Sequence, residues 1–324
     1  LIDKLRECPH RVQMNEALMG RLSPFDELVP VVKKDLAKRR AGYRGELQLD
    51  YYLESVSHEK DILILHDIRL EIDGRFFQID TLLLTPYLAI ILEVKHISGI
   101  YTLDGKFDQA IRKWDDVEEA FGHPVSQVER QKKQLIRWFA KMNIPFLPVA
   151  TFVVMTNRST VLHTASPHER YDNVVRVENI EERLISLLQS HRKEYLPLKQ
   201  LKKVSKLLMK KHTPLIVFPS DVYGIQVKDI MTGVQCPGCQ HMPMIRAFGS
   251  WTCADCHQKS KDAHLSALRD YYLLVSHQIT NRQLRDFLQL TSRNTARYLL
   301  NALNLQSAGR TKDTSYTLTP HIFL

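Results

Sequence analysis

No stretch of the 324 residues approaches the ~20 uninterrupted apolar positions that a membrane-spanning helix needs, so a helical membrane protein is not expected. Internal repeats and low-complexity tracts are also lacking, which sets aside repeat architectures. The first twenty residues, LIDKLRECPHRVQMNEALMG, carry scattered charges and no apolar stretch of the kind found in secretory signals. The expected location is therefore the reducing cytoplasm. Cysteine is scarce: five residues, of which four form two CxxC pairs and Cys8 stands apart. In a reducing compartment such pairs point to metal ligation rather than disulfides, and Cys8 reads as a small hydrophobe.

What the chain does have is an ordinary globular composition, 44% hydrophobic and 25% charged, with length for two or three domains. Lysine and arginine outnumber aspartate and glutamate 45 to 36, a formal net charge of +9. An excess of that size favours a polyanionic partner, nucleic acid being the commonest.

Residues 1–40 read as a helical segment punctuated by Pro24 and Pro30, and a further helix is expected from about Gly42, with Leu47, Tyr51 and Val56 about a turn apart. Three strand-like runs follow: DILILHDIRLEI, FFQIDTLLLT and YLAIILEVKHI. Asp73-Gly74 marks a hairpin between the first two, and Pro86 punctuates the next gap. Pro124 opens a helix through QVERQKKQLIRWFAK, FLPVATFVVMTN reads as a buried strand, and VVRVENIEERLISLLQ as a strand leading into a helix. Alternating strands and helices over 41–195 predict an α/β domain with one mixed central sheet flanked by helices. Residues 196–230 open on the basic amphipathic helix LPLKQLKKVSKLLMKK, read as a linker.

Side chains alternate faces along a strand, so Glu93 and Lys95 of AIILEVK share one face. An acid and a lysine in an otherwise apolar strand need pairing or a metal, because burying charge is costly. Asp80 is another lone acid, in FFQIDTLLL, and two adjacent strands can bring these carboxylates to one point. Such oxygen donors suit Mg²⁺ (or Mn²⁺). Taken alone, an ExK in a strand is better explained as a structural ion pair at a strand end, with Asp80 capping a turn.

An acid-bearing helix, an acidic strand and then ExK, in that order, resembles the PD-(D/E)XK nuclease superfamily and, more closely, the nuclease-related domain (NERD) family. AGYRGELQLDYYL is similar to that family's opening glycine–glutamate helix, with Gly45 and Glu46. FFQIDTLLLTPYLAIILEVKHISGIY is similar to its core, with Asp80, Glu93, Lys95 and Gly99, and HPVSQVERQKKQL to the helix that follows, with Pro124 and Gln127. The resemblance spans about 42–160. It implies a restriction-endonuclease-like fold, with Asp80 and Glu93 as metal ligands and the Val94 carbonyl as a third. It further implies Lys95 beside the attacking water, Glu46 completing the acid cluster, and Gln127 orienting water or backbone. Gln127, Gln131 and Gln134 share a helical face that a solvated role would also explain. His96 departs from the small polar residue the family commonly places after the lysine.

CPGCQHMPMIRAFGSWTCADC sets Cys236, Cys239, Cys253 and Cys256 as two CxxC knuckles separated by a run long enough for a β-hairpin. Four thiolates favour a closed, structural Zn²⁺ site, and residues 231–260 resemble a zinc ribbon of the kind found in topoisomerase tails. His257 and His264 are spare candidate ligands. Trp251 and Phe248 either stack on bases or pack behind the hairpin.

Residues 261–324 read as helix, turn, helix and a hairpin-like end, a small helical domain resembling a winged helix. Its expected core is Leu284, Phe287, Leu288, Tyr298, Leu299 and Leu303. Thr291-Ser292 would cap the second helix, exposing Arg293, Asn294 and Arg297 to bases and phosphates, with Arg310 and Lys312 in the wing. A helical bundle serving dimerisation fits the same apolar spacing.

The whole-chain expectation is a Mg²⁺-dependent endodeoxyribonuclease whose zinc ribbon and winged helix grip DNA. The alternatives are a catalytically silent DNA-binding adaptor or regulator built on a nuclease fold, and a nuclease acting on RNA. A double-strand cut would need two active sites, which leaves a homodimer open.

Overall fold

The computed structural model describes residues 2–57, 61–309 and 314–323. In chain order, its first elements are β1 (Ile2–Lys4), α1 (His10–Met19), α2 (Val29–Ser57), β2 (Leu63–Ile72), β3 (Arg75–Leu84) and β4 (Ala89–Lys95). Next come β5 (Gly99–Asp104), β6 (Gln109–Trp114), β7 (Val117–Gly122), α3 (Pro124–Lys141), β8 (Val149–Met155), β9 (Thr160–Thr164) and β10 (Val174–Arg176). They are followed by α4 (Ile180–Ser190), α5 (Leu198–Lys211), α6 (Pro219–Tyr223), β11 (Ile245–Ala247), β12 (Ser250–Thr252) and β13 (Lys259–Ser260). The last are α7 (His264–Leu274), β14 (Gln278–Thr280), α8 (Asn281–Leu288), α9 (Arg293–Ala302), β15 (Ser307–Ala308) and β16 (Ser315–Thr317).

Contacts group the chain into two units, where the sequence suggested five segments. The first comprises Leu1–Cys8 and Arg40–Leu215, the second Pro9–Arg39 and Ile216–Leu324. The N-terminal segment is thereby divided, and the boundary falls inside α2.

The first unit is built on a six-stranded mixed sheet in the order β1-β2-β3-β4-β8-β10. Its central strands are apolar runs because both faces are covered. Ile64, Leu83, Ile90 and Leu92 pack with Leu49, Leu53 and Val56 of α2 and Ile180 and Leu184 of α4. Leu65, Ile68, Leu82 and Ile91 pack with Val128, Leu135 and Trp138 of α3 and Leu201, Val204 and Leu208 of α5. The β2–β3 hairpin turns on Asp73-Gly74, both at positive φ (51° and 73°), the geometry of a two-residue loop matched to strand twist.

Several features differ from the sequence reading. α2 begins at Val29, thirteen residues ahead of Gly42, because Pro30 lies in the first turn, where a missing N–H costs nothing. Its buried stripe is Leu49, Leu53 and Val56, while Leu47 and Tyr51 are 43% and 72% exposed. A second sheet, β7-β6-β5-β9, was not anticipated; its turn signals were visible, but its strands carry too many exposed polar residues to show a core pattern. β1 pairs in parallel with β2 and closes one edge of the main sheet. α5 is no linker, since its apolar face belongs to the first unit's core.

In the second unit, β11, β12 and β13 form one antiparallel sheet and β14, β16 and β15 another. α7, α8 and α9 pack with α1 over Met14, Leu18, Leu268, Tyr271, Leu284, Phe287 and Leu299. The Arg21 guanidinium, 1% exposed, is held by Asp270 at 2.7 Å and by the carbonyls of Met231 and Gly233. Tyr298, expected in the core, is 67% exposed; Ala296 and Leu300 fill that face instead. No helix among the described residues is long and apolar enough to cross a membrane.

Leu208→Ala should destabilise the sheet unit by about 2–5 kcal/mol, the usual cost of a buried leucine-to-alanine cavity. Urea unfolding followed through Trp138 measures it. A change under about 0.5 kcal/mol would return α5 to the role of a detachable linker.

Candidate active site and candidate metal centre

β2–β3 register pairs His66 with Thr81 and Ile68 with Ile79, setting Asp67 opposite Asp80; β3–β4 register pairs Thr81 with Leu92. Continued by one residue, the same register brings Asp80 to Glu93. One carboxylate from each of three neighbouring strands therefore lies in one row. Asp67 itself is unpaired in the ladder and adopts φ 50°, a conformation that a non-glycine residue seldom takes in a strand.

Glu93 and Lys95 share a face, as alternation requires, with Lys95 Nζ 2.6 Å from Glu93 Oε1. α3 closes the site from above. The Gln127 amide donates to Glu93 Oε1 at 2.6 Å, and its carbonyl oxygen accepts from Lys95 Nζ at 2.9 Å. Gln131 Nε2 donates to Glu93 Oε2 at 2.7 Å. Glu93 is only 3% exposed, and both of its oxygens accept hydrogen bonds. Gln131 lies within the apolar stripe Val128, Leu135 and Trp138, and a glutamine in such a stripe was the available signal for this contact.

Asp80, one strand away, accepts one bond, from Val94 N–H at 2.9 Å. Its carboxyl is held well above the usual range by burial first, then by the charges of Glu93 and Glu46. Glu46 is delivered by α2 at a point where Gly45 is indispensable. A Cβ on Gly45 would stand 2.5 Å from His96 Cβ and 2.7 Å from Thr156 Oγ1. The glycine thus lets the helix approach the end of β4 closely enough to place Glu46 near Asp80.

Sequence reasoning missed the cation behind this row. Arg6, just past β1, is 2% exposed and reaches Asp50 at 2.8 Å, Glu46 at 3.1 Å and Asp67 at 3.1 Å. It also donates to Thr81 Oγ1 at 2.8 Å and lies 3.0 Å from His66 Nδ1. No local pattern marks it, because its partners lie 40 to 75 residues away. Desolvation nevertheless outweighs Arg6 at Glu46, whose carboxyl is pushed up to about 7.

These groups fit a divalent cation by chemistry: Asp80, Glu93 and Glu46 form an excess of hard oxygen donors whose mutual repulsion an ion would relieve. They are not drawn together in advance. Among the described residues, only the four cysteines bring three or more metal-ligating side chains within 4.8 Å of one another. Glu93 would have to exchange one of its present partners for an ion.

Those cysteines are ready-made ligands. Cys236 and Cys256 Sγ are 3.5 Å apart, as are Cys239 and Cys253 Sγ, close to the ~3.8 Å edge of a tetrahedral ZnS₄ centre. Backbone N–H groups of Cys239 and Gly238 draw the Cys236 thiol down to about 7. The site is consistent with structural zinc. His264 is not a ligand, since it is buried and accepts from Trp251 Nε1 at 3.3 Å; His257 lies outside the cluster. Trp251 is 1% exposed and packs behind the hairpin, whereas Phe248 at the hairpin tip is fully exposed.

Ser292 caps α9 by accepting from Thr295 N–H at 3.2 Å, and Arg293, Asn294 and Arg297 are exposed. Arg310 and Lys312 lie outside the described residues.

Among family models, that of the nuclease-related domain, NERD, matches residues 41–156. No curated protein matches the chain.

Two outcomes are expected. Because the folded-state value of Glu46 lies above its ordinary 4.5, its contribution to stability is complete below about pH 4.5 and is lost as pH rises through about 7. In metal-free buffer, Glu46→Gln should therefore gain stability relative to the parent between those values, read by urea unfolding; a pH-independent difference would contradict the assignment. For the cysteine cluster, elemental analysis should find a single zinc per chain, lost in Cys253→Ser; a metal-free, folded parent would refute it.

Proposed function

Because residues 41–156 form a nuclease-related domain, we propose that the protein is a metal-dependent nuclease that hydrolyses phosphodiester bonds in DNA. The observation that carries this reading is the placement of Lys95 Nζ between Glu93 and Gln127, beside Asp80. A structural ion pair needs only Glu93 and Lys95. It does not account for two glutamines on the same carboxylate, or for a neighbouring aspartate with no cation in hydrogen-bonding contact among the described residues.

Asp80, Glu93 and the Val94 carbonyl would hold Mg²⁺ or Mn²⁺, which when bound supplies an activated water and neutralises phosphate charge. The chain's own groups do the rest. Lys95 has three N–H donors and uses two on Glu93 and Gln127. Its third is left for the attacking water or a phosphate oxygen, and its charge stabilises the anion formed during attack. Gln127 accepts from the ammonium and donates to the carboxylate, so it fixes both in one orientation. Glu46, holding a proton up to about pH 7, can exchange that proton near neutrality.

DNA is favoured as substrate by the exposed Arg293, Asn294 and Arg297 on capped α9, by Phe248 at the ribbon tip, and by the net charge of +9. With Mg²⁺ or Mn²⁺, duplex DNA should be nicked or cut, with EDTA abolishing the reaction. Lys95→Ala should lower the rate by about a hundredfold or more. Normal cutting by that variant would sink the catalytic assignment. DNA binding without cutting would instead support the regulator reading, and cutting confined to RNA would change the substrate class.

A further inference from the structure

We infer that the outward face of α5 is a docking surface for the phosphate backbone of duplex DNA, a surface of the sheet unit itself; this rests on the nuclease reading above. α5 is fourteen residues long, contains six lysines and has no acid. At 100° per residue, Lys199, Lys202, Lys203, Lys206 and Lys210 fall within an arc of about 100°. Leu201, Val204, Ser205 and Leu208 occupy the opposite side and are buried. All five lysines are exposed.

An ordinary solvated face mixes charges, and four lysines elsewhere in this unit sit in ion pairs. Lys95 pairs with Glu93, Lys113 with Glu118, Lys132 with Glu129 and Lys141 with Asp73. Among the described residues, none of the five α5 lysines has such a partner. Their i,i+3 and i,i+4 spacings set like charges side by side, which weakens a helix. The helix withstands this because its other face is locked into the core. A polyanion relieves the repulsion.

The dimensions fit a duplex. From Lys199 to Lys210 the helix rises about 16 Å, a length over which B-DNA presents roughly ten phosphates. The position fits as well. α5 lies on the sheet face to which Glu93 and Lys95 point, since Ile91 and α3 share its core. Its C-terminal end meets β2 at Arg69, whose N–H donates to His212 Nδ1 at 3.1 Å, two residues from Asp67 in the carboxylate row. The near end of the row, Asp67, thus lies two residues along β2 from this contact, about 7 Å.

The test is binding of the full-length chain to a labelled duplex in EDTA, where nothing is cut, across a salt series. Replacing Lys199, Lys203, Lys206 and Lys210 by glutamine should weaken binding tenfold or more at about 0.1 M salt. It should also reduce the slope of log K against log salt by about two or more, at ~0.9 per lost phosphate contact. The same four residues changed to arginine should retain parental affinity, and matching melting curves verify folding. Lys106, Lys113, Lys133 and Lys141 changed to glutamine remove equal charge elsewhere. Equal weakening by that variant overturns the proposal, as does a slope unchanged by the α5 substitutions. Binding to phosphatidylserine vesicles through α5, with none to the duplex, also overturns it, in favour of a membrane surface. A chain that binds through α5 yet cuts nothing leaves this surface standing and removes the nuclease reading; a chain that cuts but binds independently of α5 does the reverse.

Discussion

The constraint on which the first unit depends is the concentration of carboxylates at one end of its sheet. Asp67, Asp80 and Glu93 come from three adjacent strands, and α2 adds Glu46 and Asp50. Two cations pair with four of these five groups: Arg6 takes Glu46, Asp50 and Asp67, and Lys95 takes Glu93, while Asp80 accepts from the Val94 N–H. Buried charge of one sign is tolerated only where it is hydrogen-bonded or neutralised. That requirement explains why β1 is drawn to the sheet edge, why α3 carries glutamines in its apolar stripe, and why Gly45 must lack a side chain. Each brings a donor or a carboxylate closer than a generic packing surface would allow.

The parts of this arrangement that were legible in the sequence are the local ones. Alternation along AIILEVK set Glu93 and Lys95 on one face, and Asp73-Gly74 fixed a hairpin whose register carries Asp80 to the same row. The CxxC spacing likewise contains its own geometry, because each knuckle closes within four residues. Long-range partners were not legible. Nothing near Arg6 predicts a contact with Thr81, and Asp67 looks like any polar residue in a half-buried strand until its backbone is seen to turn to positive φ. The length of α2 was hidden by Pro30, which reads as a breaker unless it is known to lie in a first turn. α5 misled for a related reason: a basic amphipathic helix at a module boundary reads as a linker, whereas its buried Leu201, Val204 and Leu208 fix it to the core.

The cysteine centre and the carboxylate row show two degrees of preparation. The four sulfurs already stand near the spacing of a tetrahedral site, as expected where metal binding contributes to folding. In the row, by contrast, protein donors already engage both oxygens of Glu93. Lys95 and the two glutamines thereby hold Glu93 in place without an ion.

On the nuclease reading, electrostatics would also separate where the first unit attracts a polyanion from where it acts on one. Five carboxylates against Arg6 and Lys95 give a site that, fully ionised, repels phosphate. The raised carboxyls of Asp80, Asp67 and Glu46 are the protein's own partial answer, since each proton retained removes one negative charge. At physiological ionic strength, fields from exposed charges decay over about 8 Å. Lysines set among the acids are spent on them, while lysines with no acidic partner keep their field. On the nuclease reading proposed above, the unpaired stripe on α5 would serve attraction, and Lys95, paired with Glu93, the chemistry.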